Sequence, residues 1–266
     1  QLDKELADNQ VVAILSDYNF YSVALFLALV QKKTIIAPIV STNTEEVHKR
    51  LNVLNCDSEI RIAEREIQLV QHNKSESHAM IQLLVDNNQS GLILFSSGST
   101  GAPKAMIHNL DNLLNSYQGK KLKKLNMLVF LMFDHIGGLN TLLNTLSMGA
   151  KIVFPENRNP EYIAELIATQ KIHVLPASPT FLNMMLMANV EDKYDLSSLK
   201  MITYGTESMP YSLLKKLKQA FPKSRLMQTF GTSETGIAQT SSRSSDSLEI
   251  KFNDPNLEYK IMNGEL

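Results

Sequence analysis

The sequence predicts an α/β protein with mostly parallel sheets, covered on both faces by helices. Two observations predict it. Short apolar runs alternate with helical-looking stretches along the chain, and after a lysine-rich turn at 120–124 the same alternation starts afresh. A third bounds it: 266 residues, 44% hydrophobic and 20% charged, suit a globular chain with one large domain or two small ones.

The elements follow in order. Val11–Leu15 reads as a buried strand, Phe20–Val30 as a helix, and Thr34–Ala37 as a strand closed by Pro38. Thr44–Leu54 is a charged amphipathic helix and Ser77–Val85 another. Gly91–Phe95 is an apolar strand running into a polar loop. Beyond that loop Met106, Leu110, Leu113, Leu114 and Tyr117 fall at helical spacing, which predicts a helix over Met106–Tyr117. In the second half Met127–Met132 reads as a strand, Leu139–Met148 as a helix ended by Gly149, and Lys151–Phe154 as a strand. Pro160–Thr169 carries proline at a first helical position. Ile172–Leu175, Met201–Tyr204 and Leu226–Phe230 are strands, and Thr180–Ala188 and Pro210–Ala220 are helices. Met184, Met185 and Met187 are expected to fill core space. Thr240–Ser247 reads as a solvated Ser-rich loop, followed by a hairpin of Leu248–Phe252 and Leu257–Met262 around Asn253–Asn256.

Composition excludes several classes. A net charge of −1 gives no general attraction to nucleic acid or to an anionic membrane. Phe20–Val30 is too short to span a bilayer. Cys56 stands alone, so no internal disulfide forms, a reducing cytoplasm is the default location, and the thiol reads as an ordinary packed or surface group. The histidines show no metal-ligand spacing. The chain starts at Gln1 and stops at Gly264-Glu265-Leu266, so it is expected to be an excised piece of a longer protein.

The densest chemical signal is Ser96-Ser97-Gly98-Ser99-Thr100-Gly101-Ala102-Pro103-Lys104. Glycines let backbone N–H groups approach an anion, hydroxyls add donors, and a lysine adds a point charge, so this loop suits phosphate. A Walker A loop is excluded. It needs four residues between its glycines and then Gly-Lys-Ser/Thr, whereas Ala102-Pro103 separates Gly101 from Lys104. A nucleotide hydrolase of that kind is disfavoured with it.

A second polar turn, Gln228-Thr229-Phe230-Gly231-Thr232-Ser233-Glu234-Thr235-Gly236, also follows a strand. Ligands of doubly wound sheets sit beyond strand carboxyl ends, and a carboxylate there suits Mg²⁺. Read alone, Glu234 is a solvated loop acid; beside the first loop it is a metal candidate. A third segment, Tyr204-Gly205-Thr206-Glu207-Ser208-Met209-Pro210, also fits a helix start with Ser208 as cap and Pro210 in the first turn. A fourth, Phe133-Asp134-His135-Ile136-Gly137-Gly138, sets a histidine beside two glycines that permit close approach of a ligand.

In this order the segments resemble the adenylate-forming superfamily of acyl-CoA synthetases, peptide-synthetase adenylation domains and luciferases. The resemblance covers most of the chain and implies the large N-terminal domain of that fold. Two layered αβαβα subdomains are expected, residues 1–120 with the phosphate loop and 121–240, then the start of a small β-barrel at 241–266 ending in Gly264-Glu265-Leu266. The family's ribose-binding Asp segment and its C-terminal lid domain with a catalytic lysine have no counterpart here, and Lys104 is not that lysine.

The resemblance also assigns roles. Ser96, Ser97, Gly98, Ser99, Thr100, Gly101 and Lys104 would hold the phosphates of ATP. Gly205, Thr206 and Glu207 would lie along adenine, with Thr206 replacing a glycine. Gln228, Thr229, Phe230, Gly231 and Thr232 lead to Ser233 at the α-phosphate and Glu234 on Mg²⁺; Phe230 stands where tyrosine is usual. His135, Gly137, Ser178 and Tyr204 would border the carboxylic acid, with Asp134 in a usually aromatic position. The implied reaction joins a small-molecule carboxylic acid to AMP and then passes the acyl group to a thiol, of coenzyme A or of phosphopantetheine on an acyl or peptidyl carrier protein. Lys104, Ser233 and Glu234 would be its catalytic residues. Alone, these 266 residues are expected to bind nucleotide weakly and adenylate slowly or not at all, and full-rate pyrophosphate release by them would contradict that. A degenerate nucleotide-binding module or scaffold that kept the fold is the alternative, favoured by Asp134, Phe230 and Thr206.

Overall fold

The computed structural model describes residues 5–63, 66–73, 77–97, 102–232, 236–253 and 258–260. The chain forms two compact units, one comprising the residues up to Leu122 with Met132–Met148, the other Lys123–Leu131 with everything from Gly149 on.

The first unit is built on a six-stranded sheet of order β4-β3-β1-β2-β5-β6. Its strands are β1 (Val11–Leu15), β2 (Ile35–Pro38), β3 (Ser58–Ala63), β4 (Glu66–Gln71), β5 (Gly91–Ser97) and β6 (Pro103–Asn109). β3, β1, β2 and β5 run parallel, while β4 and β6 pair antiparallel at the two edges. One set of alternating residues (Val11, Ala13, Ile35, Ala37, Ile93, Phe95) packs in a cluster with residues of α2 (Thr44–Leu54) and α3 (Ala79–Asp86). The other set (Val12, Ile14, Ile36, Leu92, Leu94) is equally buried, so the central strands read as continuous apolar runs. Helix α1 (Phe20–Gln31) starts at a capping box in which Asn19 and Ser22 satisfy each other's backbone N–H groups. Phe26 of α1 meets Phe133 edge-on at 5.5 Å, just before α5 (Ile136–Ser147).

The second unit has a five-stranded sheet of order β11-β10-β9-β7-β8, parallel throughout. Its strands are β7 (Asn126–Leu128), β8 (Lys151–Val153), β9 (Val174–Ala177), β10 (Met201–Tyr204) and β11 (Arg225–Gln228). Helices α6 (Pro160–Gln170), α7 (Pro179–Met187), α8 (Val190–Lys193) and α9 (Tyr211–Ala220) contribute to its core. Short antiparallel ladders follow: β12 (Phe230–Thr232) with β13 (Gly236–Ala238), and β14 (Thr240–Ser242) with β15 (Ile250–Phe252).

Mixed α/β architecture with mostly parallel sheets is therefore as the sequence predicts, with four local corrections. Met106–Asn109 is strand, pairing with β5 along its length; only Leu110–Asn115 (α4) is helical, capped by Asn109. The β3–β4 hairpin has no counterpart among the expected elements, because the alternation of β4 breaks at Val70 and the strand is an exposed edge. The Ser-rich stretch is not wholly loop. Ser242 Oγ accepts the Gln228 N–H at 2.8 Å, Thr240 Oγ1 donates to Gln228 O at 3.2 Å, and Ser245 Oγ accepts the Leu226 N–H at 3.2 Å. Those hydroxyls satisfy the free edge of β11, and β14 then pairs with β15, which lies in the stretch expected to be the first arm of the last hairpin. Residues 254–257 and 261–266 lie outside the described residues. Of the three methionines expected in the core only Met185 is buried; Met184 and Met187 are exposed. No helix among the described residues is long and apolar enough to cross a membrane.

Candidate functional site

In the first unit, β5 brings Ser96 and Ser97 to its carboxyl end and β6 carries the chain back. The register sets Ser96 opposite Lys104 and Ser97 opposite Pro103. Gly98, Ser99, Thr100 and Gly101 lie outside the described residues. Lys104 is exposed and has no ion-pair partner among the described residues. Because the chain returns as a strand, α4 starts only at Leu110, and its N-terminus does not follow the loop. Anion binding here would rest on loop N–H groups, hydroxyls and the ammonium, without a helix dipole. Two clefts border this hairpin. One, of about 320 Å³, is polar and is lined by Asn43, Glu46, Lys49, Arg50, Ser96 and Pro103. The other, of about 730 Å³, is mainly apolar, with Lys104 among Val53, Met80, Ile81 and Ile107.

His135 lies in the same unit as the N-cap residue of α5, its side chain making no capping bond and standing 55% exposed. Gly137 is the second residue of that helix. Asp134, by contrast, is buried. Its Oδ2 accepts from Arg50 Nη1 at 2.7 Å and from the Val40 N–H at 3.1 Å. Phe133 stacks at 4.6 Å on Tyr18. The Asp134 carboxylate is thus turned into the unit, away from solvent.

In the second unit the parallel register aligns Ala177, Tyr204 and Gln228, the last residues of β9, β10 and β11. Ser178, Gly205 and Thr229 therefore leave the sheet side by side. Ser178 caps α7 by accepting the Phe181 N–H at 3.2 Å. Thr229 N–H donates to Tyr204 O at 2.8 Å. A Cβ on Gly205 would stand 2.7 Å from Thr229 Oγ1 and 2.9 Å from Thr229 O, so this turn requires glycine.

The next residue, Thr206, has φ +69°, a left-handed conformation that a β-branched residue rarely takes. A glycine would take this backbone shape without strain. Glu207 reaches across to α7 and accepts from the N–H and hydroxyl of Thr180. Glu207 and Thr180 also line a cleft of about 320 Å³ with Asn183, Ser208 and Lys216. Ser208 is no cap: α9 starts at Tyr211 with Pro210 in the capping position and no side-chain bond. Tyr204 is 2% exposed, among the largest buried side chains, and burial raises its phenol pKa; it packs in the core. Phe230 packs edge-on against Phe252 at 5.3 Å. Gly231 faces Ile237 across the ladder, where a Cβ would come 2.5 Å from Ile237 Cδ1 and 2.8 Å from Gly236 O, and Thr232, opposite Gly236, ends β12. Ser233 and Glu234 lie outside the described residues, between β12 and β13. Among the described residues no cluster of three or more His, Cys, Asp or Glu side chains could hold a metal ion.

The structure thus gathers Ser178, Gly205 and Thr229 beyond the carboxyl ends of β9, β10 and β11, with Glu207 bonded to Thr180, and sets Ser96–Ser97 with Lys104 on one hairpin; Phe230–Thr232 form a separate ladder with β13. Arg50 escaped the sequence reading; only its Glu46 four residues earlier on α2 hinted at a paired side chain.

Comparison with known proteins follows the same lines. A family model described as AMP-binding enzyme matches residues 4–266. The chain is 24% identical to 4-coumarate–CoA ligase-like 9 of Arabidopsis thaliana over 94% of its own length and 52% of that protein's. It is 26% identical to the D-alanine–D-alanyl carrier protein ligase of Bacillus licheniformis over 60% of its length and 34% of that protein's. The chain thus spans about half, or less, of the curated relatives it matches. Among solved structures, the N-terminal subdomain of Klebsiella oxytoca NpsA, in complex with 3-hydroxyanthranilyl-AMSN, superposes with a TM-score of 0.73 at 17% identity. That match covers 93% of this chain and 66% of that one. The luciferase-like enzyme of the mealworm Zophobas morio gives 0.70 at 19% identity, covering 90% and 64%.

Proposed function

Since the chain belongs to the AMP-binding enzyme family across residues 4–266, we propose that the full-length protein adenylates a carboxylic acid with ATP and passes the acyl group to a thiol. The acceptor would be coenzyme A or a phosphopantetheine arm on a carrier protein; ligases of both kinds are among the relatives. The observation that carries this reading is the strand-end edge of the second unit. Three neighbouring turns there are packed at backbone level, with Gly205 pressed on Thr229 and Thr206 in a left-handed shape. A β-branched residue held in the left-handed region is the kind of local strain that clusters at ligand sites, which supports this reading.

In this proposal the acid's carboxylate attacks the α-phosphorus of ATP, and pyrophosphate leaves with the electron pair of the broken P–O bond. No protein nucleophile is needed; the chain positions the reactants and stabilises charge. Ser96, Ser97 and Lys104 would hold the departing phosphates, the turn of Gly205–Glu207 the adenine, Ser233 the α-phosphate, and His135 the acid. Glu234 would hold Mg²⁺, which supplies charge neutralisation at the phosphates.

The test is exchange of labelled pyrophosphate into ATP by the full-length protein across a panel of aliphatic, aryl and amino acids. At least one acid should support exchange, and Lys104→Ala and Glu234→Gln should each lower it by about 10²–10³-fold. ATP binding with no exchange for any acid would leave the scaffold reading in its place.

A further inference from the structure

Asp134 and Arg50 are both shielded in the first unit, their side chains 2% and 17% exposed. Asp134 directly precedes His135. Its Oδ2 takes hydrogen bonds from Arg50 and from the backbone of Val40, just beyond β2. The other arm of the Arg50 guanidinium bonds Glu46 one turn earlier on α2. The guanidinium carbon lies 5.7 Å from the ring centre of Phe95, the residue before Ser96 on β5. Arg50 also shares the polar cleft with Ser96 and Pro103, on the two arms of the hairpin. One planar cation therefore touches α2, the strand that feeds the polar loop and, through Asp134, the turn that presents His135.

We infer that Arg50 and Asp134 are a positioning pair that fixes the His135 turn and the β5–β6 hairpin in one geometry. Stability alone does not explain the pair. Apolar residues of similar volume often replace a buried ion pair without loss, because both charges must give up their water. Such residues would lack the rigid fork of donors, which holds several partners at set angles. The inference rests on the adenylation reading only for what the two regions bind; the coupling itself is a property of the unit.

The test uses Asp134→Asn, isosteric but uncharged, and Arg50→Lys, charged but without the fork, in the full-length protein. Amide hydrogen exchange is followed at His135 on one side and at Phe95, Ser96 and Lys104 on the other. Each variant should speed exchange on both sides by about tenfold, and the double variant should do no worse than either single one. The Michaelis constants for ATP and for the acid should rise together, while unfolding stays cooperative. Loosening confined to the His135 side, or additive effects of the two changes, would overturn the pairing. If Asp134→Asn does not fold, Arg50→Lys carries the same readout. A wild-type protein without acid-dependent exchange would sink the adenylation reading, and the amide exchange data would still decide the pair.

Discussion

The two units carry their candidate residues in different ways. In the first, Ser96 and Lys104 sit across an antiparallel hairpin, where the ladder uses only backbone and the side chains are free to serve a ligand. In the second, Gly205, Thr206 and Thr229 are turns between parallel strands and the following elements, and their shape is part of the packing. The hairpin can lose a side chain without strain, whereas Gly205 in its strand-end turn cannot gain one. Gly205→Ala should therefore lower stability by about 1–3 kcal/mol, because the new methyl meets a pinned hydroxyl and a backbone oxygen. Lys104→Ala should change stability by less than about 0.5 kcal/mol while removing most of the exchange activity. Urea unfolding of both variants measures this, and equal costs would break the contrast.

The same difference decides what the sequence reveals. The central strands of both sheets are buried on two faces, so their apolar runs announce them. Edges are set by partners instead. Glu66–Gln71 is exposed even at Ile67 and Val70, Met106–Asn109 owes its extended shape to β5, and Thr240–Ser242 is a strand because its hydroxyls meet β11 and its backbone meets β15. For the site, the Gly/Ser/Thr turns were legible because special backbone shapes require special residues. The directions of Asp134, Glu207 and Tyr204 were not, since each depends on a partner distant in sequence: Arg50, Thr180, or the core of the second unit.

Thr206 offers a change of opposite sign. Its φ of +69° places a β-branched side chain where only glycine is unstrained. Glycine there removes that strain but adds freedom to the unfolded chain, and the exposed bond from Thr206 Oγ1 to Gly205 O is lost. Thr206→Gly should be net stabilising by about 1 kcal/mol or less, read from the urea midpoint. Destabilisation would mean that the threonine side chain, rather than the backbone shape, is what this turn retains.

The smallest effect separates the units by pH. In the second, Asn126 and His173 exchange two bonds: Asn126 N–H to His173 Nδ1 at 2.9 Å and His173 N–H to Asn126 O at 2.8 Å. Desolvation, and then the charge of Lys200, hold the His173 pKa below that of a free imidazole. The unfolded chain therefore takes up the proton more readily, and this contribution, full above about pH 6.5, is lost as pH falls from there through the folded value. In the first unit the counterpart is Asp111. Burial raises its pKa, but the bonds from Lys33 at 2.9 Å and from Ser90 outweigh this and hold it low, so its contribution fails only as pH drops below about 4. Acidifying from pH 7 to about 5 should thus lower the protection of the Asn126 amide, its exchange being taken relative to the slower base-catalysed exchange of an unprotected amide at the same pH, and leave the first unit closed. Cys56 reports the first unit directly, since it is buried there and burial pushes its thiol up to about 11, making it inert until the unit opens. Its labelling rate, corrected for thiolate concentration, should stay flat over that range. His173→Gln should abolish the pH step at Asn126, and a step that survives the substitution would trace the acid sensitivity to another group.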